Sequence, residues 1–435
     1  MTSEPITFAH AAIELPAEGT ERDNFITAMR GERSHLIALY KQAVASADGE
    51  GIMKARHQLL TSFPAKFCAA LDVRKKTGTK KNYSIEECFH AALSVNVFSP
   101  IKELVTAYCV EKSGGKAHRL IFDFGLTFRT AHRMVERVLE PYFTPRPFQF
   151  TNKGVDRAIK QARSLVAGPK TWVAVIDIES YYNSFELDLL KHELPLPSAV
   201  ADCAVSGRHI ETVWKGYAEK LPLHYRKSLV DPTRRALPTG ASTSSMIAQM
   251  ICSRLNIPTS VADSLVNYGD DFWLTGETEA EATAKADALI AAIAKLPGGV
   301  FTARRRICRI FEGPQYLGYQ FSWSEGKLAI SPSEKNWDRL HERLVSIHFK
   351  ETERIGSFWI PSKKFVVRLV AKQLACISSF HSAFSAATHL DQDTLKSLMV
   401  TLESDLDAVG ASWADVKKIK VAPRYTEWEN PSEFG

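Results

Sequence analysis

The sequence predicts an α+β protein, with a sheet backed by helices, and three observations predict it. Helical text fills both ends of the chain, up to about residue 95 and again beyond about Ile330. Between them, Thr171-Trp172-Val173-Ala174-Val175-Ile176-Asp177-Ile178 is a continuous apolar run that ends in a carboxylate, the pattern of a strand buried on both faces. Val261 to Trp273 then reads as a hairpin, with apolar residues on either side of a tight Gly269-Asp270 break.

Residues 1–95 read as mostly helical, broken by the basic loop Arg74-Lys75-Lys76-Thr77-Gly78-Thr79-Lys80-Lys81. Pro100 to Lys170 is rich in basic residues, with a polar break at Ser113-Gly114-Gly115. After the apolar strand, Leu237-Pro238-Thr239-Gly240-Ala241-Ser242-Thr243-Ser244 is a glycine loop opening into a helix, its hydroxyls placed as capping residues are. Thr275 to Leu296 is Ala-rich and periodic with early glutamates, a helix that stops at Pro297-Gly298-Gly299. In the C-terminal part, Lys364, Arg368 and Lys372 stand at i, i+4 and i+8, and Lys417, Lys418 and Lys420 add a second basic cluster. Both are read as phosphate contacts that would follow a duplex.

Bulk properties set bounds. At 435 residues, 45% hydrophobic and 24% charged, the chain exceeds one ordinary domain and can bury a normal core. The net charge of +6 fits a nucleic-acid binder better than an enzyme of acidic substrates. The seven cysteines are scattered without a Cys-x-x-Cys pair, so neither a zinc ribbon nor a disulfide framework is expected. Met1 to Pro16 lacks the basic start and apolar run of a leader, and no apolar stretch reaches the roughly 20 residues of a membrane span. The expected location is the reducing cytoplasm, without a membrane partner.

The chemistry lies in two acidic segments, Asp177-Ile178-Glu179-Ser180-Tyr181-Tyr182 and Tyr268-Gly269-Asp270-Asp271. Nucleotidyl transfer needs two divalent ions about 4 Å apart, one activating the attacking 3′ hydroxyl and one stabilising the leaving pyrophosphate. Magnesium takes hard oxygen ligands, few of them from protein, with substrate phosphates completing the octahedron. Carboxylates from two neighbouring strands meet that need. The expected ligands are Asp177, Asp270 and Asp271, with the backbone carbonyl of Ile178.

Together with the segment 237–248, these pieces resemble motifs A, B and C of reverse transcriptases: Asp-x-x-x-aromatic-aromatic, Pro-Gln-Gly-x-x-x-Ser and Tyr-x-Asp-Asp. Tyr316-Leu317-Gly318-Tyr319-Gln320-Phe321 is similar to the primer grip that follows them, and Val138-Leu139-Glu140-Pro141-Tyr142-Phe143 to a fingers segment of bacterial members. The resemblance covers roughly residues 100–325. It implies a right-hand polymerase: a helical N-terminal extension (1–95), fingers (96–170), a palm with an antiparallel sheet (171–330) and a helical thumb (331–435). It also implies an RNA-directed DNA polymerase using Mg²⁺, or Mn²⁺ in its place, to add deoxynucleoside triphosphates. Lys112 and Arg119, with Lys116 between them, match the triphosphate-clamping cations, Tyr182 the sugar gate, and Gly240 the motif B glycine. Tyr268, Leu317 and Gly318 are carried over from motif C and the primer grip.

Two positions depart from the pattern. Thr239 replaces the motif B glutamine, and the lysine expected after the palm helix is replaced within Arg304-Arg305-Arg306, where Arg306 fits the register. Arginine scarcely deprotonates, so Arg306 would stabilise charge rather than donate a proton. RNA-dependent RNA polymerases resemble Asp-x-x-x-x-Asp in motif A and keep asparagine in motif B, whereas Tyr182 and Ala248 stand here.

With nothing that resembles an integrase, RNase H or endonuclease segment, the chain resembles the compact bacterial reverse transcriptases of the unknown-group, defence-associated class, its subtype unassigned and a type 2-like form slightly favoured. That implies a structured noncoding RNA as template, a DNA product and a role against phage. Untemplated, protein-primed synthesis of the abortive-infection type is the alternative enzyme. A polymerase-fold RNA-binding module without catalysis is the alternative from another class. Primer, oligomeric state and subtype are not readable from the sequence.

Overall fold

A computed structural model describes residues 13–77, 81–111, 118–324, 326–352 and 362–419. The fold is mixed α+β, with three small sheets among the described residues. In chain order the strands are β1 (Val105–Glu111), β2 (His118–Asp123), β3 (Trp172–Ile178), β4 (Thr212–Trp214) and β5 (Leu265–Tyr268). They continue with β6 (Asp271–Gly276), β7 (Ala303–Arg309), β8 (Gln315–Tyr316), β9 (Tyr319–Ser324) and β10 (Lys327–Pro332). The chain divides into two compact units interleaved in sequence: Met1–Thr144, Phe185–Ala248 and Pro297–Gly299, then Pro145–Ser184, Gln249–Leu296 and Val300–Gly435.

The first unit begins with helices Thr20–Ala45, Gly49–Thr61, Phe63–Thr77 and Ile85–Ser94. The last starts at a capping box. Ser84 Oγ accepts from the Glu87 amide and the Glu87 carboxylate accepts from the Ser84 amide, so two otherwise unmet donors are satisfied at once. Met29, Phe67, Leu71 and Phe89 form the core of these helices, with Phe67 and Phe89 meeting edge to face at 5.8 Å. A three-stranded sheet, ordered β2-β1-β4, follows. Helix Leu126–Leu139 has no side-chain cap of its own. Instead Glu103 accepts from the amides of Thr127 (3.1 Å) and Phe128 (2.9 Å), placing a carboxylate at the positive end of the helix dipole. The basic loop is partly absorbed by structure: Arg74 donates to the Tyr83 carbonyl, and Lys81 pairs with Asp123, which Arg129 also holds. Residues 78–80 of that loop lie outside the described residues.

The second unit is built on an antiparallel sheet ordered β5-β6-β3-β7. Period-two alternation gives it two different faces. One, with Ala174, Ile176, Phe272 and Leu274, is apolar and lies against helix Glu279–Ile293, whose Ala282, Ala286, Leu289 and Ile293 are buried. That helix is shorter than the Thr275–Leu296 reading, because β6 continues to Gly276 and takes Thr275 into the sheet. On the opposite face Trp273 packs on Phe321 at 4.4 Å and Tyr316 at 5.6 Å, tying the sheet to the hairpins β8-β9-β10.

Helices Glu334–Thr352, Lys363–Ala383 and Gln392–Asp407 complete the unit. Here one expectation is corrected. Lys364 and Arg368 are exposed, but Lys372 is 4% exposed and its ammonium sits 2.5 Å from the Glu351 carboxylate, itself buried. At 3.6 residues per turn, eight residues carry a side chain about 80° round the helix, here from solvent into the core. Lys372 is a buried ion-pair partner and does not belong to a phosphate-facing row. Of the second cluster, Lys418 pairs with Asp415, and Lys420 lies outside the described residues. Among the described residues no helix is long and apolar enough to cross a membrane.

Candidate active site

Strand pairing in the second unit sets the acids side by side. β3 lies antiparallel to β6 in a register that makes Asp177 the direct partner of Asp271. Directly paired residues of an antiparallel ladder point to the same face with Cα atoms about 4.5–5.5 Å apart. Asp270 occupies the turn between β5 and β6, and its carbonyl accepts from the Ile178 amide at 3.1 Å. All three acids are half-buried. The register puts the bulky neighbours Val175 and Trp273 on the same face, one pair further in.

The turn is of the tightest kind. Tyr268 pairs with Asp271, leaving only Gly269 and Asp270 between the strands. Gly269 has φ of 64° while Asp270 does not enter the left-handed region, the pattern of a type II′ turn with glycine first. Side-chain contacts hold this tip. Asn267, fully buried, donates through Nδ2 to the carbonyls of Gly269 (2.9 Å) and Asp271 (3.3 Å). Its Oδ1 accepts from Cys252 Sγ at 3.6 Å. Thr151 Oγ1 accepts from the Gly269 amide at 2.8 Å. Neither Asn267 nor Thr151 stood out in the sequence. The one available signal was an amide side chain inside an otherwise apolar strand.

After β3 the chain turns sharply at Ser180, a non-glycine residue with φ of 51°. Such a conformation costs of order 1 kcal/mol or more and persists only where its surroundings enforce it. Here the Ser180 carbonyl accepts from the Asn183 and Ser184 amides, closing the 3₁₀ turn Tyr181–Ser184. Tyr181 is buried and packs edge-on against Phe301 at 5.7 Å. Burial pushes its hydroxyl pKa well above the usual value, and the nearby Cys252, Tyr182 and Asp270 push it further the same way. Tyr182 stacks on Tyr181 at 6.0 Å and stays half-exposed.

β3's other neighbour is β7, where Arg304 is the direct partner of Asp177 and Arg306 the partner of Val175. Arg304 donates to Asp177 Oδ2 from Nε at 2.9 Å, with Nη2 at 2.8 Å from the same oxygen. Sequence register singled out Arg306. The residue in contact with the acids is Arg304, and Arg306 is exposed one pair along the same face.

The other expected site residues are divided between the two units. Leu317 and Gly318, with φ of 49° and 80°, form the two-residue turn between β8 and β9 in the second unit. The Gly318 carbonyl accepts from the Ser333 amide at 2.9 Å and from Asn336 Nδ2 at 2.8 Å. Gly240 and Arg119 belong to the first unit. Gly240 has φ of 102°, and a Cβ there would meet the Phe122 carbonyl at 2.2 Å, so its freedom serves a close approach to β2, where the Phe122 amide donates to the Thr239 carbonyl. Arg119 is half-buried on β2 opposite Val110. Lys112 and Lys116 lie outside the described residues.

The donor set suits one class of ion. Asp177 and Asp271 are hard oxygen donors on adjacent strands with Asp270 beside them. Among the described residues no group of three or more His, Cys, Asp or Glu converges into a cage. Magnesium, bound through one or two carboxylates with substrate oxygens completing its shell, needs no such cage.

No family model and no curated protein matches the chain. A solved structure, telomerase from Candida albicans in complex with the TWJ fragment of telomeric RNA, aligns at a TM-score of 0.37 and 9% identity. The alignment covers 74% of this chain and 56% of that one, so it spans little more than half the telomerase chain.

The anchoring of the turn leads to a prediction. Asn267→Ala removes a donor from the half-buried carbonyls of Gly269 and Asp271 and should destabilise the fold by about 2 kcal/mol. A denaturant midpoint within error of the wild type would contradict the role assigned to Asn267.

Proposed function

We propose that this chain is a reverse transcriptase: an RNA-directed DNA polymerase that extends a 3′ hydroxyl with deoxynucleoside triphosphates. The observation that carries the reading is the register of β3 on β6, which makes Asp177 and Asp271 neighbours with Asp270 at the adjoining turn. The proposal extends to a right-hand arrangement, with fingers over 96–170, palm over 171–330 and thumb over 331–435, after a helical extension over 1–95.

In this reading Asp177, Asp270 and Asp271, with the Ile178 carbonyl, are the protein's ligands for two Mg²⁺ ions. When bound, such ions lower the pKa of the attacking hydroxyl and stabilise charge on the departing pyrophosphate. The protein's own part is placement. The strand pairing fixes two carboxylates without a flexible loop between them, so little ordering is left to do when substrate arrives. Tyr182 presents a ring that crowds a 2′ hydroxyl and admits deoxyribose. Lys112 and Arg119 hold the triphosphate, the Gly240 loop supports the nascent pair, and Arg306 offsets charge on the leaving group. Tyr268 and the Leu317-Gly318 turn position the primer end.

For partners, we propose a structured RNA as template in a bacterial antiphage role. The chain is basic overall, and phosphate contacts give affinity without base identity, so selectivity must come from RNA shape and single-stranded loops.

Three measurements test this. Asp270→Asn keeps the shape and removes an anionic ligand, so it should abolish nucleotide incorporation on an RNA template while leaving circular dichroism and RNA binding unchanged. Undiminished synthesis by that variant in Mg²⁺ refutes the assignment. Tyr182→Ala should admit ribonucleotides, lowering sugar selectivity about thirtyfold, the equivalent of about 2 kcal/mol. A wild-type enzyme that already prefers ribonucleotides overturns the DNA-polymerase reading. RNA sequenced from the purified protein should be dominated by one structured species. A composition matching total cellular RNA removes the dedicated template and leaves the polymerase reading standing.

A further inference from the structure

Three successive arginines cross β3 on β7, and their surroundings differ. Arg305 faces helix Glu279–Ile293 and pairs there with Asp287. Arg304 and Arg306 project from the opposite face, paired with Asp177 and Val175. Only Arg304 meets an acid of the site, placing Nε at 2.9 Å and Nη2 at 2.8 Å from the same oxygen, Oδ2 of Asp177. Asp177 therefore stands between a like charge, Asp271, and a guanidinium, each its direct cross-strand partner.

We propose that Arg304 is an exchangeable counter-ion of Asp177: it neutralises the carboxylate and must leave Oδ2 before a divalent cation takes that oxygen. The inference rests on the metal-site reading of Asp177, Asp270 and Asp271, and adds a positioning residue to it. Two adjacent carboxylates repel one another, and a cation beside one of them relieves that repulsion. The same cation competes with metal for the oxygen it covers.

Exposure separates this pair from a structural one. Lys372 and Glu351 have side chains 5% and 6% exposed, sealed between helices. The Arg304 side chain is 74% exposed and that of Asp177 29%, so the guanidinium can swing into water without leaving a buried charge behind. Exposed pairs of this kind are weak and screened by salt. The competition is therefore a modest one, worth about two- to fivefold in metal affinity.

The test titrates Mn²⁺ into the full-length protein at low salt without nucleotide, following the free-ion signal by electron paramagnetic resonance. Arg304→Gln should bind Mn²⁺ about two- to fivefold more tightly than the wild type, and the gain should shrink in about 0.5 M salt. Arg306→Gln removes the same charge from the same face without touching Asp177, and should tighten binding less. Unchanged or weaker binding by Arg304→Gln overturns the proposal. So does equal tightening by Arg306→Gln, which assigns the effect to the general field rather than to the contact. Asp270→Asn keeps the two readings apart. If it binds Mn²⁺ as the wild type does, the metal-site reading fails. If it loses binding while Arg304→Gln gains none, only the counter-ion fails.

Discussion

The site depends on one register. β3 and β6 pair so that Asp177 meets Asp271, and side-chain direction alternates along both strands. A slip of one residue would turn Asp177 toward the helix-covered face and put Ile176 among the acids. What fixes the register is apolar. Ala174, Ile176, Phe272 and Leu274 are fully buried beneath helix Glu279–Ile293, and Trp273 is fully buried on the other face. Burying each large side chain is worth about 1.5–3 kcal/mol, so a slipped sheet would forfeit several such terms at once. Adjacent carboxylates repel one another and so work against that pairing, which the apolar contacts outweigh. The acids are held in place by their neighbours.

A second layer supports the first. Trp273 rests on Phe321 and Tyr316, so the strand bearing Asp271 is tied to the β8-β9 hairpin and its Leu317-Gly318 turn. Leucine with φ of 49° is unusual, since a Cβ crowds the following carbonyl in that region. The turn persists because the Leu317 side chain is buried and Gly318's carbonyl is held twice, by Ser333 and Asn336. Likewise Asn267 and Thr151 hold the Gly269-Asp270 turn from inside the unit.

Local pattern made the supporting elements legible in the sequence. The apolar run ending at Asp177 is β3, the Gly269-Asp270 break is the turn between β5 and β6, and the Ala-rich stretch is the helix over the sheet. These are short-range signals, each readable from periodicity and one glycine. Features set by distant partners were not legible. Asn267 acts on backbone carbonyls of its own turn only once the strands have paired, and Thr151 reaches that turn from 118 residues away. Counting from a motif cannot choose among Arg304, Arg305 and Arg306, because the choice depends on where β7 pairs with β3. Lys372 continued a basic i, i+4 row on paper, yet the helix turns it onto Glu351. Gly240's positive φ serves a close approach to the Phe122 carbonyl, a partner distant in sequence that the local pattern does not reveal.

If the chain is a polymerase, Asp177, Asp270 and Asp271 form one metal centre. Anomalous diffraction at the manganese edge, from crystals grown with Mn²⁺, a primer-template and a non-hydrolysable deoxynucleotide, tests this directly. Manganese peaks should be coordinated by Asp177 and the Asp270-Asp271 pair, with the nucleotide phosphates on the same ions. Manganese bound elsewhere, or none within ligand distance of Asp177, would contradict it.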